Sequence, residues 1–139
     1  NHARTIAARS RHNLHVWRGG DYIGAGPGAH GRLTTAAGRM ATVARHRISD
    51  YIEGVSANRP WSDNQVLDPR EADEERVMLG LRTVEGVERA VLARLGLSDE
   101  RGPLAQMLEE GFLQQTGGRI CASREGWPVL DSILKRLLT

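Results

Sequence analysis

A single cysteine, Cys121, occurs among the 139 residues. A disulfide within the chain is therefore excluded, and so is any all-cysteine metal or iron–sulfur site built by this chain alone. Such sparing use of cysteine is consistent with a reducing cytoplasm, and a cytoplasmic location is expected. No apolar run approaches the ~18 residues of a membrane span, so no transmembrane segment is expected. No charged-then-apolar signal segment opens the chain. An initiator Met is also missing, since the chain opens at Asn1, and a cut or processed piece of a longer product is expected. Acidic residues are scarce early. Residues 1–60 hold nine Arg and three acids (+6), whereas residues 61–139 hold ten Lys or Arg and fourteen acids (−4). All five His fall within the first 46 residues. The first part thus has the balance either of a surface facing an anionic ligand or of a solvated basic face.

What is present is ordinary for a soluble globular chain: 40% hydrophobic and 26% charged residues, enough for one domain, or a small domain plus a fragment of another. The stretch that organises it runs from Arg11 to Arg32. His12, His15 and Trp17 lead into Tyr22-Ile23-Gly24-Ala25, and Gly24, Gly26, Gly28 and Gly31 follow. The short apolar run bounded by glycines predicts a buried strand feeding a glycine loop. One strand cannot bury both faces alone, so this end of the chain calls for structure outside the sequence. Residues 1–10 read as a loose lead-in. Residues 32–35 and 40–43 are expected to pair as a hairpin, with Gly38 at a positive φ. A helix is predicted over 45–57, with Ile48, Tyr51, Ile52 and Val55 on one face. Residues 58–64 read as a polar connection, and the domain boundary is placed there.

Asp68-Pro69-Arg70-Glu71 has the form of a helix start, predicting a helix to about Arg82 with Val77, Met78 and Leu81 inward. Gly86 breaks the pattern. A second helix is expected over 88–95, stopping at Gly96, and a third over 102–110, with Leu104, Met107 and Leu108 inward. Residues 112–115 and 119–122 form a hairpin around Gly117 and Gly118. Ser123 is expected to cap a last helix carrying Val129, Leu130, Ile133, Leu134 and Leu137. These elements describe a small winged-helix-like domain over 65–139.

Three features together resemble one family. They are Arg11-His12-Asn13-Leu14-x-x-Trp17-Arg18-Gly19-Gly20-Asp21-Tyr22, the Gly24-x-Gly26-x-Gly28-Ala29-His30-Gly31 loop, and Met78-x-Gly80-Leu81-Arg82-x-x-Glu85-Gly86-Val87. The chain is similar to the C-terminal portion of the oxygen-independent coproporphyrinogen III oxidase-like proteins, the radical SAM haem chaperones. The resemblance implies an α+β fold. Residues 1–60 would be the terminal strand, hairpin and helix of a radical SAM partial barrel, and 65–139 the small helical C-terminal domain. It also implies an S-adenosylmethionine cofactor and a 4Fe-4S cluster in a full-length protein. The family's CxxxCxxC cluster loop has no counterpart here, so this chain alone is not expected to cleave S-adenosylmethionine.

By that resemblance, Gly24, Gly26, Gly28, Ala29 and His30 line the S-adenosylmethionine site through backbone contacts, as ligands meet the carboxyl ends of barrel strands. The alternative is a tight turn that closes the barrel. The family's haem-linked His-Asn-x-x-Tyr-Trp motif maps onto His12, Asn13 and Trp17, with Val16 in place of the Tyr. His12 would then be the iron ligand and Trp17 a cover for the macrocycle, with His15 and His30 as further candidate ligands. The alternative is that His12 and Asn13 satisfy buried backbone groups. Arg4, Arg9, Arg11, Arg18 and Arg32 are candidates for pairing porphyrin propionates. Cys121 reads as a buried structural thiol.

Two activities follow from the resemblance: a chaperone that binds haem for transfer to partner proteins, or an oxidase that decarboxylates porphyrin propionates. The His-Asn motif and the Gly-Ala-His-Gly loop favour the chaperone. A docking module remains open as a third reading. A winged-helix nucleic-acid binder is opposed by the −4 charge of residues 61–139, which repels phosphate, and by a third helix without Arg or Lys.

Overall fold

The computed structural model describes residues 9–139; the lead-in expected over 1–10 falls almost wholly outside them. The described chain divides into two compact units, Gly20–Pro69 and residues 9–19 with Arg70–Thr139. The separation therefore falls at Gly20 and Pro69, not at the 58–64 stretch.

In Gly20–Pro69, β1 (His30–Thr35), β2 (Gly38–Ala44) and β3 (Trp61–Val66) form an antiparallel sheet in that order. The β1–β2 hairpin is the expected one. Gly38, at φ +126°, begins β2 opposite Thr35. The supposed connection at 58–64 is mostly β3. Its residues are all exposed, Trp61 and Val66 included, so pairing with β2, not a buried face, makes it a strand. α2 (Ile48–Ser56) lies within the predicted helix. Its apolar face is present but uncovered, with Ile48, Ile52 and Val55 all exposed. The expected strand over 22–25 does not form. Tyr22 makes one bridge to Arg32, and Ile23 is 74% exposed, because among the described residues no second strand lies along the other edge of this segment.

The second unit holds the hydrophobic core. Val77, Leu81, Val87, Leu92, Leu104, Met107, Leu113, Ile120, Ile133, Leu134 and Leu137 are buried together. They come from α3 (Pro69–Gly80), β4 (Val87–Glu88), α4 (Arg89–Arg94), α5 (Gly102–Glu109), β5 (Leu113–Thr116), β6 (Arg119–Ala122) and α6 (Leu130–Leu138), and from the turn carrying Leu81. The strands pair in the order β4-β6-β5. This is the predicted succession with β4 added where the second helix was expected to start. Pro69 opens α3 as predicted, and glycines at positive φ follow the helices at Gly86, Gly96 and Gly111. Two expected core residues face outward. Met78 is exposed, whereas Val77 and Leu81, four residues apart, are fully buried. Val129 is 40% exposed because it ends a 3-10 turn, Trp127–Val129, that precedes α6. Ser123 does not cap α6: its Oγ accepts from the Gly126 amide at 3.0 Å, in the turn that precedes Trp127.

The sequence does not announce α1 (Arg11–Trp17), which belongs to this unit. Ser10 starts it, its Oγ accepting from the Asn13 amide at 3.3 Å.

Candidate functional site

The candidate residues fall into two groups in different units. His12, Asn13 and Trp17 all lie on α1. A helix turns 100° per residue, so Asn13 and Trp17, four apart, share a side, while His12 lies well round from Trp17. His12 is exposed, and its Nδ1 stands 3.4 Å from Asn13 Oδ1. That exposure overturns the reading in which His12 satisfies buried backbone groups. His15 is exposed as well.

The end of α1 is held by Arg18 and has Gly19 and Trp17 close to the C-terminal domain. Arg18 Nε and Nη2 donate to Glu85 Oε2 and Oε1 at 2.8 and 2.5 Å. A Cβ placed on Gly19, at φ +78°, would come 3.6 Å from Arg76 Nη1. Trp17 lines a cavity of about 300 Å³ with Arg82, Trp127 and Asp131 among its walls. The Arg18 pair raises the guanidinium pKa and holds the Glu85 carboxyl below its usual range, against a smaller opposing effect of burial. Arg119 supports the same turn, donating to the Glu85 and Gly86 carbonyls at 2.7 and 2.8 Å and to Glu88 Oε1 at 2.5 Å. Arg76 reaches that Glu88 oxygen at 3.0 Å. Burial works against ionisation of Glu88, but the backbone bond and both arginines hold its pKa low.

Of the arginines considered for propionates, Arg18 is committed to Glu85, and Arg32 donates to the Gly31 carbonyl at 3.0 Å. Arg11 is exposed, and Arg4 lies outside the described residues.

The glycine loop belongs to the other unit. A Cβ on Gly24 would collide with the His30 carbonyl, and one on Gly31 would lie 2.5 Å from Thr42 Oγ1. Gly26 and Gly28 take φ of +106° and +71°. Each glycine is thus demanded by the chain's own turn. The Gly26 amide donates to the Tyr51 hydroxyl at 3.1 Å, the Gly28 amide to the Arg45 carbonyl at 3.0 Å, and the Ala29 amide to the Gly26 carbonyl at 3.2 Å. Three amides that could face a ligand are therefore spent internally. Space remains at Gly26, where an added Cβ meets nothing within 4 Å. His30 is exposed at the start of β1, and His46 covers Gly28, with Nδ1 3.1 Å from where its Cβ would be.

A 4Fe-4S cluster finds no ligand set in this chain. Cys121, the sole cysteine, is buried in β6, and burial pushes its thiol pKa up against the opposing influence of Arg119 and Thr116. No helix among the described residues is long and apolar enough to cross a membrane.

Arg82 and Glu85 stand in a sequence motif that assigns them no role, and nothing in the sequence marks Trp127 or Asp131. Their signal is spatial: α1 brings Trp17 and Arg18 to residues more than sixty positions later.

The fold and these contacts define a chain ending in a helix-and-hairpin domain to which an upstream helix is pinned. Residues 67–129 match the family of the HemN C-terminal domain, in line with the resemblance read from the sequence. The chain is 29% identical over 92% of its length to "Heme chaperone HemW" of Escherichia coli (strain K12), of which it covers 34%. It is 33% identical over 92% of its length to the protein of that name from Mycobacterium tuberculosis (strain ATCC 25618 / H37Rv), covering 31% of it. A third relative is "Radical S-adenosyl methionine domain-containing protein 1, mitochondrial" of Danio rerio. Identity to it is 33% over 99% of the chain, which covers 34% of that protein. The chain thus spans about a third of the length of the curated relatives it matches. No solved structure matches it significantly.

Proposed function

We propose that this chain is the C-terminal part of a radical SAM haem chaperone and that its α1 segment binds haem for delivery to a partner protein. The observation that carries the reading is the similarity, along 92% of the chain, to proteins named as haem chaperones. The exposed His12 imidazole supports it, since an accessible neutral imidazole nitrogen can ligate haem iron. Half-buried Trp17, at the end of the same helix, offers an aromatic surface for the macrocycle.

Gly20–Pro69 is read as the last piece of the barrel. The uncovered apolar face of α2 and the open edge at Tyr22–Ala25 support that reading. Gly24, Gly26, Gly28, Ala29 and His30 would then lie at the S-adenosylmethionine site, approached through the open space at Gly26. That cofactor and the cluster belong to the full-length protein, whose cysteines are not these.

The test is a haem titration of the chain, followed in the Soret region beside His12→Ala. A ligated-haem band that disappears with His12 is the expected result. Free-haem spectra from both proteins would overturn the assignment of the ligand to α1.

A further inference from the structure

The cavity beside Trp17 is built from unlike materials. Trp17 and Trp127 line it, together with Val129. Arg82 supplies a guanidinium whose Nη1 donates to the Met78 carbonyl at 2.5 Å and whose Nη2 donates to Asp131 Oδ1 at 3.1 Å. The Asp131 side chain is 94% exposed. An ion pair that open to water is weak and readily exchanged. Arg82 is thus oriented by a backbone carbonyl, while its other arm rests on a replaceable carboxylate. Indole rings beside a guanidinium fork suit a planar ring bearing a carboxylate.

We infer that this cavity receives the propionate-bearing edge of a porphyrin, with Arg82 pairing the propionate in place of Asp131. The inference rests on the haem-binding reading above and deepens it, because it makes the C-terminal domain one wall of the site. A volume of about 300 Å³ is at the small end for ligand pockets, which fits one edge of a macrocycle and leaves the remainder outside. Asp131 then acts as a competitor. Its removal frees Arg82 for the ligand, whereas removal of Arg82 leaves the Asp131 carboxylate facing the propionate unopposed.

The test titrates the full chain with metal-free protoporphyrin and with its dimethyl ester, read by quenching of tryptophan fluorescence. Iron is absent, so ligation by His12 plays no part. The expected results are affinity for the free acid about tenfold weaker in Arg82→Gln, on the loss of one charge-assisted pair, and tighter in Asp131→Asn. The ester should bind wild type and Arg82→Gln alike. Arg82→Lys, which keeps the charge, should recover part of the loss and guards against a misfolded Arg82→Gln. Equal binding of acid and ester, or weakening in Asp131→Asn, overturns the inference. If haem binds through His12 while porphyrin affinity ignores Arg82 and Asp131, only the cavity assignment falls. If neither haem nor porphyrin binds, both readings fall.

Discussion

Arg18 and Glu85, sixty-seven residues apart in sequence, meet as a two-pronged ion pair with bonds of 2.8 and 2.5 Å. Arg18 closes the His-Asn-x-x-x-Trp stretch, and Glu85 lies in the turn between α3 and β4. The pair therefore joins two of the three motifs by which the chain resembles its family. Both side chains are about half exposed, so the bond adds little to global stability. Its effect is to set where the short α1 ends. Seven residues make a marginal helix on their own, and α1 persists through its contacts with the larger domain.

Glu85→Gln should therefore loosen α1 without unfolding the domain. Amide exchange at Leu14 and Arg18 should quicken several-fold, while the melting temperature falls by less than ~3 °C, as for the loss of an exposed pair. Because the Glu85 carboxyl titrates below its usual range, the pair contributes above the ordinary glutamate pKa. That contribution is lost as pH falls through the depressed folded value. Combining Arg18→Glu with Glu85→Arg should restore protection of α1. Unchanged exchange in Glu85→Gln would show that the pair does not hold the helix.

Two glycines at similar dihedral angles should respond very differently to alanine. A Cβ on Gly86, at φ +67°, would strike the Ile120 carbonyl and lie 2.7 Å from Cys121 Sγ. On Gly96, at φ +78°, it would meet nothing within 4 Å. Gly96→Ala then costs about 1 kcal/mol from backbone conformation alone. Gly86→Ala adds displacement of β6 and should cost more than about 3 kcal/mol. Urea denaturation of the two variants measures the difference, and equal losses would contradict the close approach of Gly86 to β6.

The domain over 69–138 was legible because local signals agree there with the packing. Pro69 begins its helix, Gly96 and Gly111 end theirs, and Leu104, Met107, Ile133 and Leu137 recur at the helical spacing. The exceptions are residues whose surroundings alone decide their orientation, Met78 and Val129. The first part was less legible because its structure comes from partners distant in sequence. β3 has no apolar alternation and is a strand only by pairing with β2. Tyr22–Ala25 looks apolar enough for a strand but has one bridge. α1 is too short to show a period. The candidate site followed the same division. His12, Asn13 and Trp17 stood out by type and spacing, whereas Arg82, Trp127 and Asp131 become a group only in three dimensions.

Asp21 provides a pH-dependent contact in the other unit. Its carboxylate accepts from the Thr34 amide and hydroxyl, both at 2.9 Å, and from Arg39 Nη1 at 2.6 Å. The Thr34 bonds, led by the one from the backbone, pull the Asp21 pKa down together with Arg39 and against desolvation. The interaction is complete above the ordinary carboxylate pKa and disappears as pH falls through the lowered folded value. The Thr34 amide resonance should therefore titrate with a midpoint beneath the usual aspartate range. It should not titrate in that way in Asp21→Asn. A midpoint at or above the ordinary value would mean that these bonds are not made in solution.

Cys121 should be protected from alkylation for as long as the domain stays folded. It pairs with Gln114 in the β5–β6 hairpin and is buried, and burial pushes its thiol pKa up, against Arg119 and Thr116. The reactive thiolate is thus scarce as well as shielded. Modification by iodoacetamide must then wait for opening of the domain, and its rate follows the opening equilibrium. Labelling followed by intact mass at neutral pH should be at least about a hundredfold slower than for a free thiol. It should accelerate in urea in step with unfolding. Gly86→Ala, whose new methyl group would press on Sγ, should accelerate it without denaturant, whereas Gly96→Ala should have a much smaller effect. Full labelling of the native chain at the rate of a free thiol would contradict the burial of Cys121 and the close packing of Gly86 against β6.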